Sequence, residues 1–313
     1  MLKSNRLPNA ISKELLESKG ALNYELWHLL CILGKRMGGD FIPYIGRVKK
    51  LGFDILEVAC HDFLHVEDEY LYRLKKEAEN QGIVLTGGYG PDIDHNISSE
   101  KPEIVKAAFD RFEIIFQKMQ KSGIKKLGGG LYSYWPVDYT LPFNKAEDMK
   151  CGIANIRELA DIAADYDITL GMEVLNRFEG YMMNTAAEAV DFVSKVDRPN
   201  VKVMLDTFHM NIEEDSMGDA IRQTGDLLGH LHLGEANRRP PHGKGRIPWA
   251  EIGEALHDIN YNGDVVMEPF VRMDGQIGKD IRIWHDVSNG CSDEELDKDA
   301  AKAVAYLRNM WEK

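Results

Sequence analysis

Four short runs each carry one ionisable residue where a β-strand would end. They are Glu173 in GMEVLN (171–176), Asp206 in VKVMLDTF (201–208), His232 in LGHLHLGE (228–235) and Glu268 in VVMEPF (265–270). Successive strand residues face opposite sides of a sheet. If the apolar Met172 and Val174, Val203 and Leu205, Leu231 and Leu233, and Val265 and Met267 face covering helices, the four polar residues turn the other way. His230 then shares the inner face with His232. Three carboxylates and an imidazole aimed at one axis would repel and desolvate one another unless a cation neutralised them. Oxygen ligands with one histidine suit Mn²⁺ or Mg²⁺, with Co²⁺ possible and Zn²⁺ less natural. Taken singly, each residue reads equally well as a satisfied core polar group. The set of four at corresponding strand ends points to a metal site.

The elements that must position this set follow from the pattern around it. Strand candidates occupy 53–60 (FDILEVAC), 82–89 (GIVLTGGY), 125–132 (KKLGGGLY), 168–176 (ITLGMEVLN), 201–208, 228–235 and 263–270 (GDVVMEPF). Amphipathic helical stretches such as 103–121 and 147–164 lie between them. Strands alternating with helices make βα units around a parallel sheet. Seven units at this length predict an α/β fold of the (β/α)8 TIM-barrel type, with catalytic groups at the C-terminal strand ends. The first strand is then atypical or displaced, because the slot before the helix FIPYIGRVKKLG (41–52) holds YELWHLLCILGKRMGG (24–39). The glycines at 128–130 lack the spacing of a phosphate loop and read as close packing at a strand end. An N-cap candidate at Ser292 and apolar residues at Ala300, Val304, Leu307 and Trp311 predict a last barrel helix.

Composition narrows the partners. The 313 residues are 44% apolar, enough for a large core, and no linker divides them. A formal charge of −13 disfavours nucleic acid, whose binding needs Lys and Arg to displace counterions. The apolar run from Leu26 to Leu33 falls well short of the roughly 20 residues of a membrane span, so no membrane partner is expected. Cys31, Cys60, Cys151 and Cys291 show no CxxC spacing, and no signal-peptide order opens the chain. A reduced, cytoplasmic protein is expected.

Longer blocks sharpen the reading. GMEVLNRFEGYMMNTAAEAVDFV, NVKVMLDTFHMNIEEDS, LGHLHLGEANR, GKGRIPWAEIGEAL and VVMEPFVRM, with GGGLYSYWPVDYT and LGFDILEVAC, resemble the ketose 3-epimerases. These form the D-psicose (D-allulose) and D-tagatose 3-epimerase family, a xylose-isomerase-like TIM barrel, and the likeness runs from about residue 39 to the C-terminus. It implies an isomerase of carbohydrate metabolism that inverts C3 of free ketohexoses, pairing D-fructose with D-allulose and D-tagatose with D-sorbose. It implies Glu173, Asp206, His232 and Glu268 as metal ligands, with Glu173 and Glu268 also the acid/base pair acting through an enediolate. Glu179, His209 and Arg238 would hold substrate oxygens and Trp135 would form a pocket wall. For His209 and Arg238 the competing reading is a surface link to Glu213 or Glu214; for Trp135 it is packing under a loop. The small-molecule ketose is the implied partner, and a homodimer or homotetramer the implied assembly. The alternatives are another metal-dependent sugar isomerase of the same superfamily, an endonuclease-IV-like phosphodiesterase, or a barrel impaired by its altered first strand. The acidic balance counts against the phosphodiesterase.

That first strand departs from the resemblance. Family members begin with a strand rich in Tyr and Trp, whereas this slot holds LWHLLCIL. One permitted coding of Tyr24 to Met37, read one base further on, gives MNYGIYYAYWENEW, which looks like the family's first strand. Degeneracy grants part of that agreement, but Met37 before Gly38 forces a shifted TGG and Trp27 before His28 forces a shifted GGC. Lys19-Gly20-Ala21 can also encode AAGGAG, a ribosome-binding sequence, just upstream. Residues 1–38 are therefore expected to be an atypical segment of frameshift origin, and 39–313 the TIM-barrel epimerase domain. A genuine extension filling the strand slot is the competing reading.

Overall fold

Alternation between apolar and inward-facing residues builds a closed parallel barrel, described for residues 26–29, 39–273 and 275–312 of a computed structural model. Its strands are β1 (Leu26–Leu29), β2 (Ile55–Ala59), β3 (Val84–Gly88), β4 (Lys126–Gly129), β5 (Thr169–Glu173), β6 (Val201–Asp206), β7 (Leu228–Leu233) and β8 (Asp264–Met267). Each pairs in parallel with the next, and β1 pairs with both β2 and β8, with Trp27 opposite Ile55 and Leu26 opposite Val265. The first slot, expected to hold an atypical or displaced strand, is filled by LWHL. The rest of the helix-leaning stretch ISKELLESKGALNYELWHLLCIL lies outside the described residues.

Helices alternate with the strands: α1 (Ile42–Leu51), α2 (Asp68–Gln81), α3 (Pro102–Ser122), α4 (Lys145–Asp165), α5 (Ala186–Val196), α6 (Thr207–Glu213), α7 (Met217–Thr224), α8 (Trp249–Asp258), α9 (Gly275–Asp280) and α10 (Asp293–Trp311). The outward residues Leu56, Val58, Met172, Val174, Val203, Leu205, Leu231, Leu233, Val265 and Met267 are all buried beneath them. Ser292 caps α10 in a reciprocal capping box with Glu295. The apolar stripe of α10 ends at Trp311, whose indole Nε1–H donates to the Trp249 carbonyl of α8 at 2.8 Å. The last helix therefore closes onto the barrel, as its periodicity predicts.

Strand ends are shorter than the alternation suggests where local chemistry stops the ladder. Strand β4 ends at Gly129, whose φ of +126° is open to glycine, and an added Cβ there would collide with the Tyr89 carbonyl oxygen. At Gly128 a Cβ would come within 2.7 Å of the Met204 sulfur. Close approach, as expected, accounts for these two glycines. Among the described residues no helix is long and apolar enough to cross a membrane, and Cys60, Cys151 and Cys291 are free thiols. Cys31 lies outside them.

Candidate active site

The C-terminal strand ends gather the polar residues. Glu173 is the last residue of β5, Asp206 the last of β6, His232 the penultimate residue of β7, and Glu268 follows β8 directly. Register keeps them level: Asp206 lies opposite His232, and the Glu268 amide donates to the Leu233 carbonyl at 2.8 Å. Each offers one ligand atom, and these atoms all lie within 4.8 Å of one another.

Local bonding decides which atoms are left to face that point. Asp206 caps α6, its Oδ1 accepting from the Phe208 amide at 2.6 Å. Among the described residues its buried Oδ2 has no hydrogen-bond partner, and neither has His232 Nδ1. His232 Nδ1 lies 3.5 Å from Glu268 Oε2 and 3.9 Å from Glu173 Oε1. Burial, with repulsion from Glu268 and Asp206, pushes the Glu173 carboxyl well above the usual range, and burial also raises Asp206. Buried orphan acceptors and mutually repelling carboxylates fit a divalent cation, so the residues present form a possible divalent-metal site.

A second layer of charge surrounds the four. Arg238 reaches Glu179 Oε1 at 3.0 Å and Glu268 Oε2 at 3.2 Å, with Asp206 Oδ2 at 3.7 Å. Its guanidinium stacks on Phe208, 3.6 Å from the ring centre. The backbone at Arg238 has a φ of +62°, uncommon for a residue with a side chain, and the Glu235 carbonyl and Phe270 amide hold it there. His209 is buried, and its Nδ1 accepts the Asn176 amide at 3.1 Å, so its proton sits on Nε2. That Nε2 is 3.9 Å from both Glu173 Oε1 and Asp206 Oδ2. Burial pushes the His209 pKa down to about 3, so the ring stays neutral at ordinary pH.

The surface pairing considered for His209 and Arg238 does not occur. Glu213 pairs with Arg177 at 2.7 Å, and Glu214 accepts the Ala186 amide at 2.7 Å. A cavity of about 810 Å³ opens over the cluster, lined by Glu173, His209, His232, Arg238, Glu268 and Glu179 among others. Trp135 and Pro136 form part of its wall, so Trp135 is not merely loop packing.

One inward residue escapes the sequence reading. Glu57 of β2 lies on the cavity floor and contacts His232 and His230. Its flanking Leu56 and Val58 carry the same alternation that singles out the other four, so the signal was present in ILEVA.

Comparison with known proteins identifies the family of the fold. Residues 45–309 match the model of the xylose isomerase-like TIM barrel family. A D-psicose 3-epimerase from Agrobacterium fabrum (strain C58) is 53% identical over 290 residues, covering 93% of this chain and 98% of the relative. Another, from Enterocloster bolteae, is 50% identical over 279 residues, covering 88% and 92%. The crystal structure of a D-psicose 3-epimerase with D-tagatose from Clostridium cellulolyticum H10 superposes with a TM-score of 0.91 at 48% identity. It covers 92% of this chain and 100% of that one.

Proposed function

The chain belongs to the xylose isomerase-like TIM barrels and, among them, to the D-psicose 3-epimerase family, and from that membership we propose that it inverts C3 of free ketohexoses. The pairs are D-fructose with D-allulose and D-tagatose with D-sorbose. Mn²⁺ is the proposed working metal, with Co²⁺ or Mg²⁺ as substitutes. The observation that carries the metal-dependent reading is the convergence of Glu173, Asp206, His232 and Glu268, with ligand atoms within 4.8 Å of one another, beside a cavity that Glu173, His232 and Glu268 line.

A bound divalent cation supplies Lewis acidity that polarises the C2 carbonyl and makes the neighbouring C3 proton removable. Glu173 and Glu268 come from strands three places apart in the ring, so they reach the sugar from different sides. One carboxylate takes the C3 proton and leaves a planar enediolate. The other, starting protonated, delivers its proton to the opposite face, so C3 inverts and the C2 carbonyl re-forms. Once the product leaves, proton exchange with solvent restores the starting protonation of both, and the swapped state left by one turnover serves the reverse reaction. His209 donates its Nε2 proton to a sugar oxygen, Arg238 and Glu179 hold the hydroxyls beside it, and Trp135 gives the chain of carbons an apolar wall. A cytoplasmic location and a homodimeric or homotetrameric state belong to the same proposal.

The test is an assay of the purified chain with Mn²⁺, offered D-fructose and D-allulose, with product stereochemistry at C3 followed. Each ketose should yield the other. An aldose product would favour a sugar isomerase, and a folded barrel without turnover would favour the impaired reading.

Residues 1–38 are proposed to derive from a frameshift and 39–313 to be the in-frame epimerase domain, with Leu26–Leu29 standing in the first slot of its barrel. The support is the shifted reading MNYGIYYAYWENEW. The nucleotide sequence decides: codons incompatible with that frame would end the idea.

A further inference from the structure

Beneath the metal site, Glu57 is 1% exposed and both its oxygens are engaged. Oε1 lies 3.0 Å from His232 Nε2. Oε2 accepts from Thr86 Oγ1 at 3.1 Å and lies 3.1 Å from His230 Nε2. The other nitrogen of His232, Nδ1, faces Glu173 and Glu268 and has no hydrogen-bond partner among the described residues. A carboxylate only accepts, and a neutral imidazole carries its proton on one nitrogen. A bond from His232 to Glu57 therefore requires the proton on Nε2, which leaves the Nδ1 lone pair aimed at the cluster.

We propose that Glu57 is a positioning residue: it fixes the ring orientation and the Nε2–H tautomer of His232, and so sets the affinity of the site for its divalent cation. The inference rests on the metal reading given above. Strand geometry makes the clamp rigid. Glu57 and Thr86 are register partners on β2 and β3, while His230 and His232 are alternate residues of β7, so three strands fix one carboxylate across the barrel. Outer partners of metal-bound histidines orient the ring and raise its basicity, and their loss typically costs 10–100-fold in affinity. The competing arrangement is a second ion among Glu57, His230 and His232, whose ligand atoms also lie within 4.8 Å of one another.

Calorimetric titration of Mn²⁺ into chelator-treated wild type and Glu57→Gln separates these readings. The expected result is one ion per wild-type chain, and a dissociation constant raised roughly 10–100-fold in the variant. Far-UV circular dichroism and the melting temperature of the metal-free variant should stay close to wild type. Equal affinity in the two proteins would overturn the inference while leaving the metal reading intact. Two ions per wild-type chain, one of them lost in Glu57→Gln, would overturn it in favour of the second site. A wild type that binds no Mn²⁺ would remove the metal reading itself and this inference with it. A measurement that needs no variant is long-range ¹H–¹⁵N NMR of the wild type loaded with diamagnetic Mg²⁺. His232 should show the Nε2–H pattern, and an Nδ1–H pattern would refute the assignment.

Discussion

Strand β1 and strands β5 to β8 occupy equivalent places in one ring, yet they meet different demands. Each of β5 to β8 delivers a side chain to a shared point: Glu173, Asp206, His232 and, just past the end of β8, Glu268. The β1 backbone pairs with β2 and β8 through Leu26–Leu29 and contributes none of these four residues. Closing a parallel ring uses main-chain hydrogen bonds, which every residue but proline can supply. Forming a site needs particular side chains at particular heights. A ring can therefore close through a segment chosen for pairing alone, and intact architecture does not by itself certify the pocket.

The largest effect expected lies on the β5–β8 side. Glu173→Gln or Glu268→Gln should lower the C3 epimerisation rate by about 10²–10⁴-fold, the usual weight of a general acid or base, while the sugar still binds. Turnover by chiral analysis, with ketose binding by calorimetry, checks it. Unimpaired turnover would dissolve the distinction between the two regions. The next effect lies on β1. Replacing residues 1–38 with MNYGIYYAYWENEW should raise activity by up to about 10²-fold, because a small misplacement of a pocket wall costs that much. Equal rates before and after would mean that the first slot tolerates LWHL in chemistry as well as in pairing.

Much of the site is legible in the sequence because alternation is a local rule. Met172 and Val174 around Glu173, or Leu231 and Leu233 around His232, settle an inward direction without knowledge of any other strand. The fold is legible for the same reason, down to Ser292 at the start of α10. What stays hidden depends on partners far along the chain. Glu57 obeys the alternation, but its significance comes from His232, 175 residues away. The tautomer of His209 is set by the Asn176 amide, and the left-handed backbone of Arg238 by contacts to Glu235 and Phe270. The filling of the first slot was the hardest feature to foresee, since LWHL carries no polar–apolar alternation to mark it as a strand.

The smallest effect asks what holds the half of the barrel next to β1. Asp68, at the start of α2, accepts from Lys118 at 2.9 Å and Lys121 at 2.5 Å, both on α3. The hydrogen bonds from Lys121 and Lys118 hold the Asp68 carboxyl below its usual range. A carboxyl whose folded pKa is depressed contributes stability that is present above the unfolded value, about 4, and lost as pH falls through the folded value. Asp68→Asn should therefore lower the urea midpoint slightly at pH 7, and the difference from wild type should shrink progressively below pH 4. The effect is small because the pair is exposed and screened by solvent and salt. A variant that matched wild type at pH 7 would show that α2 and α3 are joined by apolar packing alone, so that this half, like β1, needs no particular charged residue to stay closed. A difference that persisted unchanged in acid would assign the loss to the helix terminus rather than to the ion pair.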